Sequence, residues 1–397
     1  MQIIIHRGTH QIGGCAAEIR TDSTRILIDF GVELPDAEGN VSIDTLKIDG
    51  LNCGKANFDG VFLTHYHRDH IGLISRIMEP IPIFLGGTAI DILTTFSERV
   101  QNSYKGISGR LRPLTALKPI TVSDIRITPI PADHSAYDAY MFLIEAEGKR
   151  ILHTGDFRLH GFRGKATPKL LSQYAQGIDV LIIEGTQISR DTRQTMSELE
   201  LQKEISREIR SHKYVFVLCA STNIDRLASF YNATPRGKYF VCDKYQKSLL
   251  DVIAEKSGSK WYQFDKALIY GENLKLRERG FVMPVRVNHS FLKIISKYPE
   301  AVLIYSMWEG YLNGRSPELS QLVLPFEETG NIRYLHSSGH ATSTDTQIIC
   351  NAVMPKKGII PIHTENGEAF KELELKCPIL HLKDGEILSL SSLIQFR

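Results

Sequence analysis

The sequence has no CxxC pair, no low-complexity segment, no long apolar run and almost no charge excess. Each absence removes a class of protein. The six cysteines (Cys15, Cys53, Cys219, Cys242, Cys350, Cys377) are scattered, which excludes a structural zinc knot and a thioredoxin-like redox pair. Cys219, ending the run Val-Phe-Val-Leu-Cys, reads as a small core residue. No stretch approaches the roughly 18 apolar residues that span a bilayer. Met1–His6 reads as a strand and lacks the order of a signal peptide, so the expectation is a reducing cytosol and no membrane. A formal net charge of +2 neither demands nor excludes a nucleic-acid partner, because a basic patch can sit on a nearly neutral protein.

A chain of 397 residues is long enough for two or three domain-sized units, or one domain with a large insertion. It can bury a core without disulfides. The first half reads as short strands, at 2–6, 16–20, 25–30, 60–63, 82–85, 125–130, 140–145, 150–153 and 180–184, with a helical stretch at 71–78. At Asp191 the character changes. Thr195/Glu198 and Ser197/Glu200 form two overlapping capping-box patterns. Behind them Leu201, Ile205 and Ile209 recur on one helical face. Strands at 214–219, 239–241 and 301–305 then alternate with helical stretches such as 226–231 and 248–256, which predicts a small parallel-sheet unit over roughly 190–330. Strands return at 332–336, 358–363, 379–382 and 387–390.

The chemistry concentrates in Thr64-His65-Tyr66-His67-Arg68-Asp69-His70, directly after an apolar strand. Neutral imidazole suits zinc, and a carboxylate adds a hard anionic ligand. His65 and His67, at i and i+2, can converge on one metal, with Asp69 and His70 turned toward a second position. The alternative, a polar loop rich in histidine by accident, has to be weighed against only 14 histidines in the chain.

HxHxDH after an apolar strand resembles the signature of the metallo-β-lactamase superfamily. Further elements follow in the family's order. Asp29, in Leu-Ile-Asp-Phe-Gly, resembles the aspartate that supports the histidine loop. The resemblance implies His134 as the third histidine of the first metal, Asp156 as the bridging carboxylate, and His363 as the last ligand of the second metal. The insertion between Asp156 and His363 resembles the β-CASP domain of the superfamily's nucleic-acid-processing branch, which contains the ribonuclease J-like nucleases. Glu184 matches that branch's motif A and His340 its motif B. His363 fills motif C, a histidine in RNA-directed members and typically valine in DNA-directed ones.

The implied architecture is an αββα metallo-β-lactamase sandwich with an inserted α/β domain: residues 1–189 and 333–397 complete the first, and 190–332 form the second. The implied cofactors are two zinc ions, with manganese as the alternative. Two metals about 3.5–4 Å apart can bind phosphoryl oxygens and lower the pKa of a water toward ~7. Asp69, Glu184 and His340 are the expected catalytic residues, His340 as general acid with Glu184 orienting its ring. The expected substrate is RNA in single-stranded form. DNA, a small ester, thioester or lactone, and a scaffold without activity are the rivals. Ribonuclease J-like enzymes are longer, with a carboxy-terminal domain that helps oligomerisation. The end at Arg397 therefore puts dimerisation through such a domain in doubt, and leaves the oligomeric state and the choice between internal and 5′-end cleavage open.

Secondary features carry paired readings. Ser337, Ser338 and Gly339 can contact a phosphate, or simply make a tight turn. Ser221, Thr222 and Asn223 can do the same at a helix start, or serve as ordinary N-caps. Trp308 and Tyr311 can stack on bases, though packing between domains is the preferred expectation. Arg158, Arg163, Lys165 and Lys169 read as a solvated basic face. Gly8–Cys15 lacks any Walker or dinucleotide pattern and reads as a glycine-rich hairpin turn near the site. His153 and His160 match no ligand position.

Overall fold

The computed structural model describes residues 1–35, 46–97, 104, 106–190, 192, 195–271, 274–313 and 316–393; the change of character at Asp191 lies outside them. The chain divides into two compact units. The first comprises 1–34, 41–194 and 339–397, and the second 35–40 and 195–338.

In the first unit two sheets face each other. One runs in the order Ile387–Ser389, Gln2–Arg7, Ala16–Arg20, Arg25–Ile28, Gly60–Phe62, Ile83–Gly86, Leu111–Leu114. The other runs Gly358–Ile362, Val180–Glu184, Lys149–His153, Tyr140–Ala146, Ile125–Pro131, Ile120–Val122. Alternation directs Ile3, Ile5, Ile19, Ile26, Ile28 and Phe62 of the first sheet onto Phe142, Ile144, Ile151, Val180, Ile182 and Ile360 of the second, in one dry core. The far side of the second sheet, with Leu152, Leu181, Ile183 and Ile359, is covered by Leu171 and by Ile349 and Val353 of helices Thr167–Tyr174 and Ser343–Val353. Helix Gly87–Phe96 lies beside the strands Ile83–Gly86 and Leu111–Leu114. This is the layered αββα arrangement of the metallo-β-lactamase fold.

The stretch expected as a helix over 71–78 is broken. One turn, Arg68–Ile71, is followed by a 3₁₀ turn at Ile74–Arg76. Leu73 N–H bonds to Phe30 O at 2.9 Å, so tertiary contact overrides helical continuation there. The strand expected at 379–382 shrinks to a single bridge between Ile379 and Ile359.

The second unit is a wholly parallel sheet, ordered Ala267–Ile269, Tyr239–Cys242, Phe281–Val285, Tyr214–Leu218, Val302–Tyr305, Ile332–Tyr334. Its central strands are buried throughout, as expected when helices cover both faces. Of the two overlapping capping boxes, Ser197/Glu200 is the one formed, and it opens helix Glu198–Ser211. Asn223 caps helix Ile224–Ala233 by accepting from Arg226 N–H, so the N-cap reading of that segment is the one realised.

Candidate metal centre

Most of the implied site residues follow the carboxyl end of a first-unit strand. Asp29 follows Arg25–Ile28, and the histidine run follows Gly60–Phe62. His134 follows Ile125–Pro131 and Asp156 follows Lys149–His153. Glu184 ends Val180–Glu184, and His363 follows Gly358–Ile362. Asp29 and His363 turn off their strands in left-handed backbone, with φ of 61° and 51°. Non-glycine residues adopt this at a cost of about 1–3 kcal/mol, and such strain concentrates at functional sites. Gly31 is required nearby: a Cβ there would meet the Asp69 carbonyl oxygen at 1.5 Å.

The structure gathers the implied ligands into two adjoining groups: His65, His67 and His134, and Asp69, His70, Asp156 and His363. Four of the five rings, His65, His70, His134 and His363, are held by one nitrogen, which turns the other inward. Asp29 accepts from Thr64 N–H at 2.7 Å and from the Thr64 hydroxyl at 2.8 Å, and its Oδ2 also takes His70 Nδ1–H at 2.8 Å. Thr64 Oγ1 lies 3.0 Å from His65 Nδ1. His134 Nδ1–H donates to Gly339 O at 2.6 Å, and the Thr186 hydroxyl lies 2.7 Å from His363 Nδ1. Such outer partners select the tautomer and the ring direction that a ligand needs.

The inward atoms fit a cation. His65 Nε2, His70 Nε2 and both Asp156 carboxylate oxygens are buried without a hydrogen-bond partner. His70 Nε2 and Asp156 Oδ2 are 3.2 Å apart but out of line for a hydrogen bond. Asp156 Oδ2 also lies 3.8 Å from His65 Nε2 and 3.9 Å from His134 Nε2, so it borders both groups. His67 Nδ1 and His134 Nε2 face each other at 3.1 Å, and His363 Nε2 faces Asp69 Oδ2 at 3.1 Å. Buried donor sets left unsatisfied inside a protein are costly unless something charged compensates them.

Electrostatics separates the rings. Burial, reinforced by neighbouring histidines, holds His65 and His134 well below the usual imidazole range and takes His67 to about 4. These three are neutral, the form that ligates. Burial disfavours ionised Asp156 and Asp69. His363, His70 and His340 nevertheless hold Asp156 well below the usual carboxylate range, and His70 and His363 do so for Asp69. Burial opposes a charge on His70 too, but Asp156, Asp29 and Asp69 raise it well above the ordinary value.

Beside this cluster, His340 Nδ1 lies 3.1 Å from Glu184 Oε2 and 3.5 Å from Asp156 Oδ2. Glu184 is itself fixed by Phe157 N–H at 2.9 Å. Burial works against a charged His340, but Glu184 and Asp156 prevail and raise it to about 9. Its side chain remains about a quarter exposed, whereas Glu184 and Asp156 are buried.

Other expected residues fall elsewhere. The Ser337 hydroxyl is buried and donates to Met196 O at 2.7 Å, so it is committed to its own unit. Ser338 ends the second unit and Gly339 begins the last segment of the first. A Cβ on Gly339 would meet Ser135 Oγ at 2.7 Å, so this glycine permits the approach to His134. The basic stretch is not a solvated face throughout. Arg158 is fully buried against Asp133 Oδ1 at 3.1 Å, while Lys165 and Lys169 are exposed. Trp308 and Tyr311 are half exposed and meet edge to face at 5.3 Å. Gly8–Cys15 does turn between antiparallel strands beside the cluster, with Gly8 O accepting from His363 N–H at 2.7 Å. His153 accepts from Gly155 N–H, and His160 pairs with Asp345. Sequence reasoning missed Thr64 and Thr186; Thr64 at least stands next to its histidine, but Thr186 is 177 residues from His363.

Residues 24–217 match the family model described as a Beta-lactamase superfamily domain. The matched segment is a metallo-β-lactamase domain, and this match together with the relatives that follow supports a ribonuclease J-like nuclease of the β-CASP type. It is similar to the Ribonuclease J of Helicobacter pylori, 24% identical over 403 residues, covering 94% of this chain and 57% of that protein. The Ribonuclease J of Mycoplasma pneumoniae is likewise 24% identical, with 92% of this chain and 68% of that protein covered. The chain thus spans little more than half the length of the Helicobacter relative. A solved structure of a protein of unknown function from Enterococcus faecalis V583 shares the fold, with a TM-score of 0.80 at 21% identity, covering 98% of this chain and 99% of that one. Among the described residues no helix is long and apolar enough to cross a membrane.

Proposed function

We propose that this protein is a metal-dependent ribonuclease that hydrolyses phosphodiester bonds of single-stranded RNA. The observation that carries the reading is the pairing of two inward-facing ligand groups around Asp156 with a partly exposed His340 held by Glu184. His65, His67 and His134 would hold one divalent ion, and Asp69, His70, Asp156 and His363 the other, with zinc the best match to the imidazole-rich first set. When bound, such ions polarise a phosphoryl group and make water nucleophilic near neutral pH.

The protein's own groups do the rest. Asp29, Thr64, Gly339 and Thr186 fix the ligand rings by their outer nitrogens. Asp156 and Asp69 supply the negative charge that retains cations. His340, oriented through Nδ1 by Glu184, presents Nε2 as the proton donor to the departing alkoxide, which is a poor leaving group unless protonated. Ser338 and the Gly339 backbone remain proposed phosphate contacts; the Ser337 hydroxyl does not, being spent on Met196. Similarity to the two Ribonuclease J proteins favours RNA over DNA or a small ester.

The test is cleavage by the metal-loaded protein of matched labelled single-stranded RNA and DNA, alongside a lactone and a thioester. Faster RNA cleavage that stops on chelation is expected. Intact RNA with hydrolysis of the lactone or thioester would refute the reading, and faster DNA cleavage would move the substrate to DNA.

A further inference from the structure

The second unit carries its charge unevenly. Between Thr195 and Ser338 the chain has 20 lysines and arginines against 16 carboxylates. Several of these cations collect where strands begin. Lys213 precedes Tyr214–Leu218, Lys238 precedes Tyr239–Cys242, and Arg279 lies just ahead of Phe281–Val285. Hydrogen bonds make this one continuous edge. Phe281 N–H donates to Lys213 O at 3.0 Å and Tyr239 N–H to Gly280 O at 3.2 Å. The Tyr214 hydroxyl donates to Arg277 O at 3.1 Å, and Arg277 to Lys297 O at 2.5 Å. Gly280, at φ +74°, permits the close crossing, since a Cβ there would meet Lys213 O at 2.3 Å.

Three of these cations lie over tyrosine rings: Arg277 over Tyr298 at 4.5 Å, Arg279 over Tyr239 at 5.3 Å, and Lys213 over Tyr214 at 5.7 Å. The carboxylates nearby are already engaged. Glu300 faces Arg277 at 3.5 Å, Glu278 faces Lys275 at 3.4 Å, and Glu208 faces Arg333 at 3.2 Å. Lys238 is committed to the carbonyls of Ile209 and His212. Lys213 and Arg279 are exposed, and no carboxylate among the described residues pairs with them. A guanidinium resting on a ring keeps its N–H donors in its own plane, where they can meet a phosphate in a fork.

Resting on the ribonuclease reading for the identity of the polyanion, we infer that this edge binds the sugar–phosphate backbone of the RNA strand. It lies at the opposite end of the sheet from the place where the chain enters and leaves the unit. There Arg226 bonds to Glu198, to Ser306 beyond the strand Val302–Tyr305, and to Ser337. The edge is therefore expected to add affinity for a long strand.

The test uses the full chain stripped of metal and a long fluorescent single-stranded RNA, with affinity measured across a salt series. Each phosphate contact on a single strand contributes about 0.7 to the slope of log K against log salt. The double variant Lys213→Gln/Arg279→Gln should therefore lose about 1.4 of that slope, and about tenfold in affinity at low salt. Lys203→Gln/Lys293→Gln, with the same charge change on exposed helix positions, should leave both near wild type, and Lys213→Arg should retain binding. Unchanged slope and affinity in the first variant, or an equal fall in the control pair, would overturn the inference. So would loss of polyglutamate binding with RNA binding intact, which would assign the edge to an acidic protein. Metal-loaded variant and wild type should hydrolyse a dinucleotide equally. A metal-loaded wild type that binds long RNA at this edge yet leaves both the long RNA and the dinucleotide intact would sink the ribonuclease reading while leaving the edge standing.

Discussion

Each unit buries a cluster of charged side chains, and the two clusters are finished in opposite ways. In the second unit Arg226 is fully buried, and its guanidinium is ringed by acceptors: Glu198 Oε1 at 2.8 Å, Ser306 Oγ at 2.5 Å and Ser337 O at 3.0 Å. In the first, His65, His70 and Asp156 are equally buried, yet their inner atoms meet no hydrogen-bond partner. A satisfied buried pair holds a fold together. An unsatisfied one whose rings are held at their outer nitrogens is shaped for something that binds there, so the cluster of the second unit reads as architecture and that of the first as a site.

That contrast can be broken from either side. Asp156→Asn should take RNA cleavage to background and strip metal from the chain, measured by elemental analysis, while circular dichroism stays native. His340→Ala should slow cleavage by about 10²–10⁴-fold with metal content unchanged, because a proton donor contributes on that scale and a ligand would take metal with it. Glu198→Ala should do the reverse. Removing one partner of a buried pair costs about 3–5 kcal/mol, read as a lower denaturant midpoint, while the metal content of the folded fraction is unaffected. The gentlest sharpening is Asp29→Asn, which keeps the shape but weakens the grip on His70. It should lower metal affinity by about 10–100-fold in a competition titration with a chelator.

The polar run Thr64–His70 could be read in advance because its chemistry is local: three imidazoles and a carboxylate within six positions, after an apolar strand. The partners Asp29, His134, Asp156 and His363 were legible only through resemblance, since nothing in their own neighbourhoods marks them. What stayed hidden depends on contacts between distant residues. Arg158 looked like a surface cation because its partner Asp133 lies 25 residues upstream and the pair closes only when the loop folds back. Helix Gly87–Phe96 has Gly86 as its N-cap and so no capping side chain of its own to mark it in the sequence. It is capped instead by Asp138, whose Oδ2 accepts from Thr88 N–H at 2.8 Å. Gly339 was expected to offer its N–H to a phosphate, and its carbonyl turns out to orient His134. Local patterning also fails at Gly72, where Leu73 bonds back to Phe30 and ends the helix.

The most direct test of the central claim is native mass spectrometry of the intact chain after purification with zinc or manganese in the buffer. Two divalent ions per wild-type chain, reduced in Asp156→Asn and kept in His340→Ala, is the predicted result. A wild-type chain that retains neither metal would contradict it.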